Sequence, residues 1–270
     1  MHKQIISVHN SYIKELVQLK EKSRLRKQTQ TFLIEGLREI TLAIKGEYTI
    51  QTILAATSII QNEEIEKLLN SVNYPIEVIE ISNDVYQKLA LRESTEGILA
   101  VAKSKDLSLK SITFKSESPL ILVAEATEKP GNIGALLRTA DAAGIDAVLI
   151  ANPKTDIYNP NIIRSSIGCV FTTQIATGTT SEIISFLKEH TINLYTAALT
   201  ASVEYQSIDY TKPSAIIVGT EATGLTEEWL RNTSKNIIIP MRGAIDSMNV
   251  SVSAAIILFE AVRQRQIINN

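Results

Sequence analysis

Apolar and polar positions change period several times along this chain, and each change predicts an element. Between residues 10 and 27, Ile13, Leu16, Leu19 and Leu25 stand among charges at helical spacing, which predicts an amphipathic helix. The run Thr31-Phe32-Leu33-Ile34 predicts a short strand ending at Glu35-Gly36, with a helix from there to Ile44. Strands are expected near 50–55 and 76–81, then a helix capped by Ser82 and a strand at 97–102. Residues 103–118 are polar and serine-rich and suggest a linker. Beyond them, apolar runs at 120–125, 146–150, 192–198, 214–219 and 236–239 alternate with helical patterns at 132–143, 181–189, 226–231 and 249–264. Uninterrupted apolar runs are what strands covered on both faces require. The fold class expected is therefore α/β: a mostly parallel sheet with helices on both faces, preceded by a smaller α/β domain. The expected division is 1–105, a linker at 106–118, and a second domain at 119–270.

Composition narrows the class. The chain has 270 residues, 44% hydrophobic and 21% charged, which suits a globular protein of one or two domains. No apolar run is long enough to cross a bilayer, and the start lacks the apolar core of a secretory signal. Cys169 is the only cysteine, so an intrachain disulfide is impossible, which fits a cytoplasmic location. His2, His9 and His190 are scattered, which argues against a structural zinc site.

Charge changes the picture only locally. The net charge is -2, but residues 1–30 carry seven Lys or Arg side chains against two Glu. Lys22, Arg24, Arg26 and Lys27 are the densest part and are the candidate phosphate contacts, since local charge decides phosphate binding. A solvated helix face is the other reading of the same pattern.

Three turns carry candidate chemistry. Each follows an apolar run, and turns at the carboxyl ends of parallel strands form ligand crevices. The first, Glu128-Lys129-Pro130-Gly131-Asn132-Ile133-Gly134, leads to Arg138. Asn132 capping a helix and Arg138 pairing with Asp141 would be its ordinary structural explanation. The glycines lack dinucleotide-fingerprint spacing, which disfavours a nucleotide-dependent oxidoreductase. The second, Gly219-Thr220-Glu221-Ala222-Thr223-Gly224, precedes a helix that Thr226 would cap. The third runs from Ile239-Pro240-Met241 to Ser247-Met248-Asn249, where Asn249 would cap a helix apolar almost all round, Ala254 to Val262. Such a helix belongs in a core or a subunit interface.

In this order the turns resemble the three motifs of the SpoU (TrmH) branch of the SPOUT RNA methyltransferases. Asn132-Ile133-Gly134-Ala135-Leu136-Leu137-Arg138-Thr139-Ala140 resembles the first, Gly219 to Leu225 the second, and Ile239-Pro240-Met241 with Ser247-Met248-Asn249-Val250-Ser251-Val252 the third. Arg164-Ser165-Ser166-Ile167-Gly168 also looks like a family segment, and residues 1–102 are similar to the ribosomal-protein-like RNA-binding domain that often precedes the catalytic one. Ala222 and Met248 depart from the usual glycine and leucine without removing a polar group.

The resemblance implies a trefoil knot in the second domain, S-adenosylmethionine as methyl donor, and a homodimer with the last helix, Leu258 included, at a two-fold interface. It implies methylation of a ribose 2'-hydroxyl, in ribosomal RNA first, with transfer RNA as the alternative substrate. Gly219, Ile239 and Met248 would line the cofactor site. Arg138, Asn132, Glu221, Ser247 and Asn249 would form the catalytic set. A non-catalytic RNA-binding protein on the same fold is the competing reading. On this division, a chain starting near Ser111 should fold and bind the cofactor alone.

Overall fold

The computed structural model describes residues 3–91, 96–200, 202–219 and 224–268. Chain order begins β1 (Lys3–Ile5), α1 (Ser11–Glu21), α2 (Ser23–Thr29), β2 (Thr31–Glu35), α3 (Leu37–Lys45) and β3 (Ile50–Ala55). It continues α4 (Asn62–Asn70), β4 (Glu77–Ile81), α5 (Asn83–Leu89) and β5 (Ile98–Lys103). The strands form one sheet in the order β1-β4-β3-β5-β2, parallel among β1, β4 and β3 and antiparallel onward.

The single helix expected at 10–27 is two. The Asn10 side chain accepts from Tyr12 N–H at 2.9 Å and starts α1. Lys22 leaves the helical region at φ −109°, ψ 109°. The break orphans the last carbonyls of α1. Arg26, one turn into α2, reaches back and donates to the carbonyls of Leu19 (2.7 Å) and Lys20 (2.9 Å). Ile13, Leu16 and Leu19 are buried under α1, each contributing about 1.5–3 kcal/mol.

The rest of the chain runs β6 (Leu120–Glu125), α6 (Pro130–Ala143), β7 (Ala147–Ala151), α7 (Pro160–Ser165), β8 (Ile175–Gly178), α8 (Thr180–Glu189) and β9 (Asn193–Ala197). Then follow β10 (Val203–Glu204), β11 (Ser214–Val218), α9 (Glu227–Asn232), β12 (Lys235–Ile238) and α10 (Val250–Ile268). Seven strands make a parallel sheet in the order β10-β12-β9-β11-β6-β7-β8. β6, β7 and β11 are buried at every position, as apolar runs in a sheet covered on both faces must be.

The chain divides into two compact units, 1–105 with 156–172, and 106–155 with 173–270. Residues 156–172, expected within the second domain, pack with the first unit. Tyr158 stacks on Phe32 with centroids 4.3 Å apart, and Phe171 meets Tyr48 edge-on at 5.1 Å. Burial pushes the Tyr48 hydroxyl well above its ordinary pKa, so it stays neutral beside the Tyr158 hydroxyl, 3.4 Å away. Gly46 lies against this segment so closely that a Cβ would sit 2.0 Å from the Phe171 carbonyl oxygen. Residues 106–118, expected as linker, are bonded into the second unit. Leu107 C=O accepts from Thr177 N–H at 2.7 Å, and Ile112 is buried in that unit's core.

Candidate active site

The site belongs to the second unit and begins where its parallel ladder ends. β11 stops at Val218 and β12 at Ile238, so Gly219 and Ile239 are the first residues past their strands. Gly219 must be glycine, because a Cβ there would lie 2.4 Å from the backbone carbon of Gly224. The two ends of the turn therefore touch backbone to backbone.

Beside this contact is a cavity of about 540 Å³. Gly219, Ile239, Met248 and Ser247 line it, so the three expected cofactor residues come together with one of the catalytic set. Leu199, Leu225, Leu230 and Met241 supply apolar wall. Apolar walls with strand-end backbone edges suit a flat, edge-bonded ring and its polar tail, and the volume suits a nucleoside-sized ligand. Among the described residues no cluster of potential metal ligands occurs, and no helix is long and apolar enough to cross a membrane.

Asn249 stands at the start of α10. Its side-chain oxygen accepts from Ser251 N–H (2.9 Å) and the Ser251 hydroxyl (2.6 Å), so it does cap the helix. Its amide also donates to the Asn132 side-chain oxygen at 3.3 Å. The first and third turns thus meet through this pair, 117 residues apart in sequence. Asn132 is not the cap of α6; that position is Lys129, with Pro130 opening the helix. The Ser247 hydroxyl donates to Asp246 at 3.2 Å.

Arg138 is solvent-exposed on α6. It lies six residues after Asn132, about 9 Å along the axis and on a different face. It does not line the cavity of its own chain. Glu221 lies outside the described residues.

The candidate RNA contacts divide. Lys22, Arg24 and Lys27 are exposed. Arg26 must be withdrawn from that set. It is only 4% exposed, its Nε pairs with the Asp156 carboxylate, and its Nη1 is committed to the α1 carbonyls. A buried guanidinium is tolerated only with such partners, so it serves the fold and is unavailable to a phosphate. Lys20 is also tied down, donating to Lys88 C=O at 3.0 Å, and partial burial lowers its pKa.

Sequence reasoning missed a buried carboxylate. Glu125 ends β6 and is 1% exposed. Its Oε2 accepts from Thr226 N–H at 2.8 Å, and its Oε1 from the hydroxyls of Thr226 (2.9 Å) and Thr180 (2.8 Å). Thr226 occupies the cap position of α9, yet its side chain makes no capping bond. A charge abutting a fully apolar strand was the available signal.

Residues 119–259 match the model of the SpoU rRNA methylase family, and residues 10–100 match that of an MRM3-like substrate-binding domain. A 23S rRNA (guanosine(2553)-2'-O)-methyltransferase of Bacillus subtilis, RlmP, is 30% identical over 257 residues, covering 95% of this chain and 98% of its own. A tRNA (guanosine(18)-2'-O)-methyltransferase of Escherichia coli is 36% identical over 154 residues, covering 56% of this chain and 66% of its own. A solved AdoMet-bound rRNA methyltransferase from Sinorhizobium meliloti superposes with a TM-score of 0.88 at 27% identity, covering 97% of both chains.

Proposed function

We propose that this chain, which belongs to the SpoU rRNA methylase family, transfers a methyl group to a ribose 2'-hydroxyl of ribosomal RNA. The observation that carries this reading is the cavity at the strand ends, where Gly219, Ile239 and Met248 converge beside the Asn132–Asn249 pair. The choice of ribosomal over transfer RNA is supported by likeness to the B. subtilis enzyme over nearly the whole chain. Likeness to the E. coli tRNA enzyme spans little more than half of it. The first unit, 1–105 with 156–172, holds the proposed RNA-binding domain, with the exposed Lys22, Arg24 and Lys27 as phosphate contacts, and the second, 106–155 with 173–270, is the proposed methyltransferase domain.

S-adenosylmethionine, when bound, supplies an electrophilic methyl on its sulfonium. The backbones of Gly219, Ile239 and Met248 would hold it, and the apolar wall would exclude water from it. Asn132, Ser247 and Asn249 would hold the ribose so that its 2'-oxygen points along the line of transfer, which is the larger part of the work in such a reaction. Glu221 completes the proposed set. Arg138 supplies a guanidinium that orients the ribose and its phosphate and stabilises the oxygen as its proton passes to solvent.

Arg138 is exposed and does not line the cavity of its own chain, and this supports a homodimer in which a second copy brings its Arg138 to the site. α10 supports the same assembly: it packs against α6 and leaves Phe259 47% and Val252 47% exposed. The sheet order, with β11 inserted between β6 and β9, supports a knotted path for the chain's last segment. A lone buried cysteine, with no second cysteine in the sequence to form a disulfide, suits a reducing cytoplasm.

Calorimetric titration with S-adenosylmethionine, followed by mapping of 2'-O-methyl groups in ribosomal RNA treated with the protein, tests the reading. Saturable binding and one new methylated ribose are expected. Absence of binding favours a non-catalytic RNA-binding protein.

A further inference from the structure

The buried carboxylate of Glu125 has no place in the chemistry above, yet it is the best-bonded acidic group near the cavity. Oε1 and Oε2 accept three hydrogen bonds at 2.8–2.9 Å. On one side, the Asn152 amide donates to the Thr180 hydroxyl at 2.9 Å, and that hydroxyl donates onward to Glu125. This ties the ends of β6 and β7 to the start of α8. On the other side both bonds go to one residue, Thr226. Thr226 lies two residues after Gly224, where the turn that begins at Gly219 closes on itself. Gly219, Gly224 and Leu225 all line the cavity.

Three features separate this from ordinary core bonding. Thr226 is itself exposed, so its two bonds to a 1%-exposed carboxylate are not a by-product of burial. Its hydroxyl leaves α9 without a side-chain cap in order to reach Glu125. A carboxylate buried at this depth is costly unless donors surround it, and charge-assisted bonds to it are the strong ones. The arrangement therefore fixes one end of the glycine turn to the end of β6, a strand buried at every position.

We propose that Glu125 is a positioning residue for the cofactor: through Thr226 it holds Gly224 and Leu225 against Gly219 at the cavity wall that receives S-adenosylmethionine. The proposal rests on the methyltransferase reading of the cavity. Glu125 touches neither cofactor nor RNA; it acts by preorganising the loop, so its loss falls on cofactor affinity and leaves the transfer step alone.

The test uses the full chain with Glu125→Gln, Thr226→Val, Thr226→Ser and Thr180→Val. Glutamine gives up the charge and must turn its NH2 toward either the Thr226 N–H or the two threonine hydroxyls. Glu125→Gln is expected to raise the Kd and KM for S-adenosylmethionine about tenfold, the scale of one charge-assisted bond. Thr226→Val should weaken binding by about three- to tenfold, and Thr226→Ser should restore it to within about twofold, because only the hydroxyl is at issue. Thr180→Val breaks the far side of the network and should lower the melting temperature with a smaller effect on Kd. The kcat at saturating cofactor and the KM for RNA should stay within about twofold in all four, as preorganised binding predicts. Thr226 is exposed, so its variants stay folded if Glu125→Gln does not. Unchanged cofactor affinity in folded Glu125→Gln and Thr226→Val, even with a lowered melting temperature, shows a strut only and overturns the proposal. An unmodified protein that binds no S-adenosylmethionine overturns the methyltransferase reading and the proposal with it.

Discussion

Arg26 in the first unit and Arg138 in the second carry the same side chain and have opposite circumstances. Arg26 sits in the chain's densest run of positive charge, yet its guanidinium is buried against Asp156 and two carbonyls. Arg138 stands among small and apolar residues, and it is the one left in solvent. The lesson concerns desolvation. Taking a guanidinium out of water requires fixed partners, and once buried among them it is out of a ligand's reach. Charge density along a sequence therefore says little about which cation works. A cation that small neighbours leave accessible is the better candidate.

The comparison is broken most directly at Arg138. Arg138→Ala should lower methyl transfer by about 10³-fold, the scale of removing one preorganised charge from a transition state, while S-adenosylmethionine affinity changes little. Arg138→Lys should recover only part, since an ammonium cannot reproduce the planar fork. Single-turnover assays beside calorimetry measure both quantities. Turnover near normal in the alanine variant takes Arg138 out of the mechanism.

Arg26→Ala should do the reverse. Removing one partner of a buried ion pair costs about 3–5 kcal/mol, here with the α1 carbonyls and Asp156 left bare. Denaturant melts should show a loss of that order. RNA affinity per folded molecule, measured where the variant remains native, should not move. Stability within about 1 kcal/mol of the parent, joined to lost RNA binding, would return Arg26 to the interface. The same reasoning revises the expectation that a chain starting near Ser111 folds alone. Such a chain lacks Phe32 and Tyr48, leaving Tyr158 and Phe171 without the rings they pack on, and it should aggregate.

These two arginines also mark how far the sequence could be read. Elements with strong periodicity were legible: β3 and β6 span the expected residues, and α6, β11 and α10 differ from expectation by a few residues at their ends. β1 was not seen, being three residues with one buried side chain, nor was α4, whose acidic run hides Ile65 and Leu68. The attachment of 156–172 to the first unit depends on the stacking of Tyr158 on Phe32, 126 positions away, which no local window contains. At the candidate site, turns and glycines were legible because close backbone approach demands them. The Glu125 network was not, because a carboxylate at a strand end reads as solvent-facing, and Thr226 reads as a cap that it is not.

Leu258 and Phe259 repeat the contrast within α10. The resemblance put Leu258 at an interface, but it is fully buried within its own chain, as are Ala254 and Ala261. Phe259 is 47% exposed on the outward side with Val252. Leu258→Glu should therefore unfold the chain, while Phe259→Glu should leave it folded and shift sedimentation from dimer to monomer with activity lost. An unmodified protein that sediments as an active monomer at micromolar concentration shows that the outward stripe has no partner copy.

The smallest effect expected is at the exposed cations of the first unit. Lys22, Arg24 and Lys27 lie within one turn and a half of chain and are all open to solvent. Each is held by no ion pair among the described residues, so each is free to meet a phosphate. Counterion release gives a slope of about 0.7 per phosphate contact on single-stranded RNA, so reversing all three to Glu should flatten the plot of log affinity against log salt by about 2. Affinity at low salt should fall with it, while S-adenosylmethionine binding and the melting temperature stay near the parent values, because none of the three supports the fold as Arg26 does. Filter binding across a salt series reads the slope directly. A slope equal to the parent's would mean that this run of charge is a solvated face throughout, and that the first unit meets RNA elsewhere on its surface.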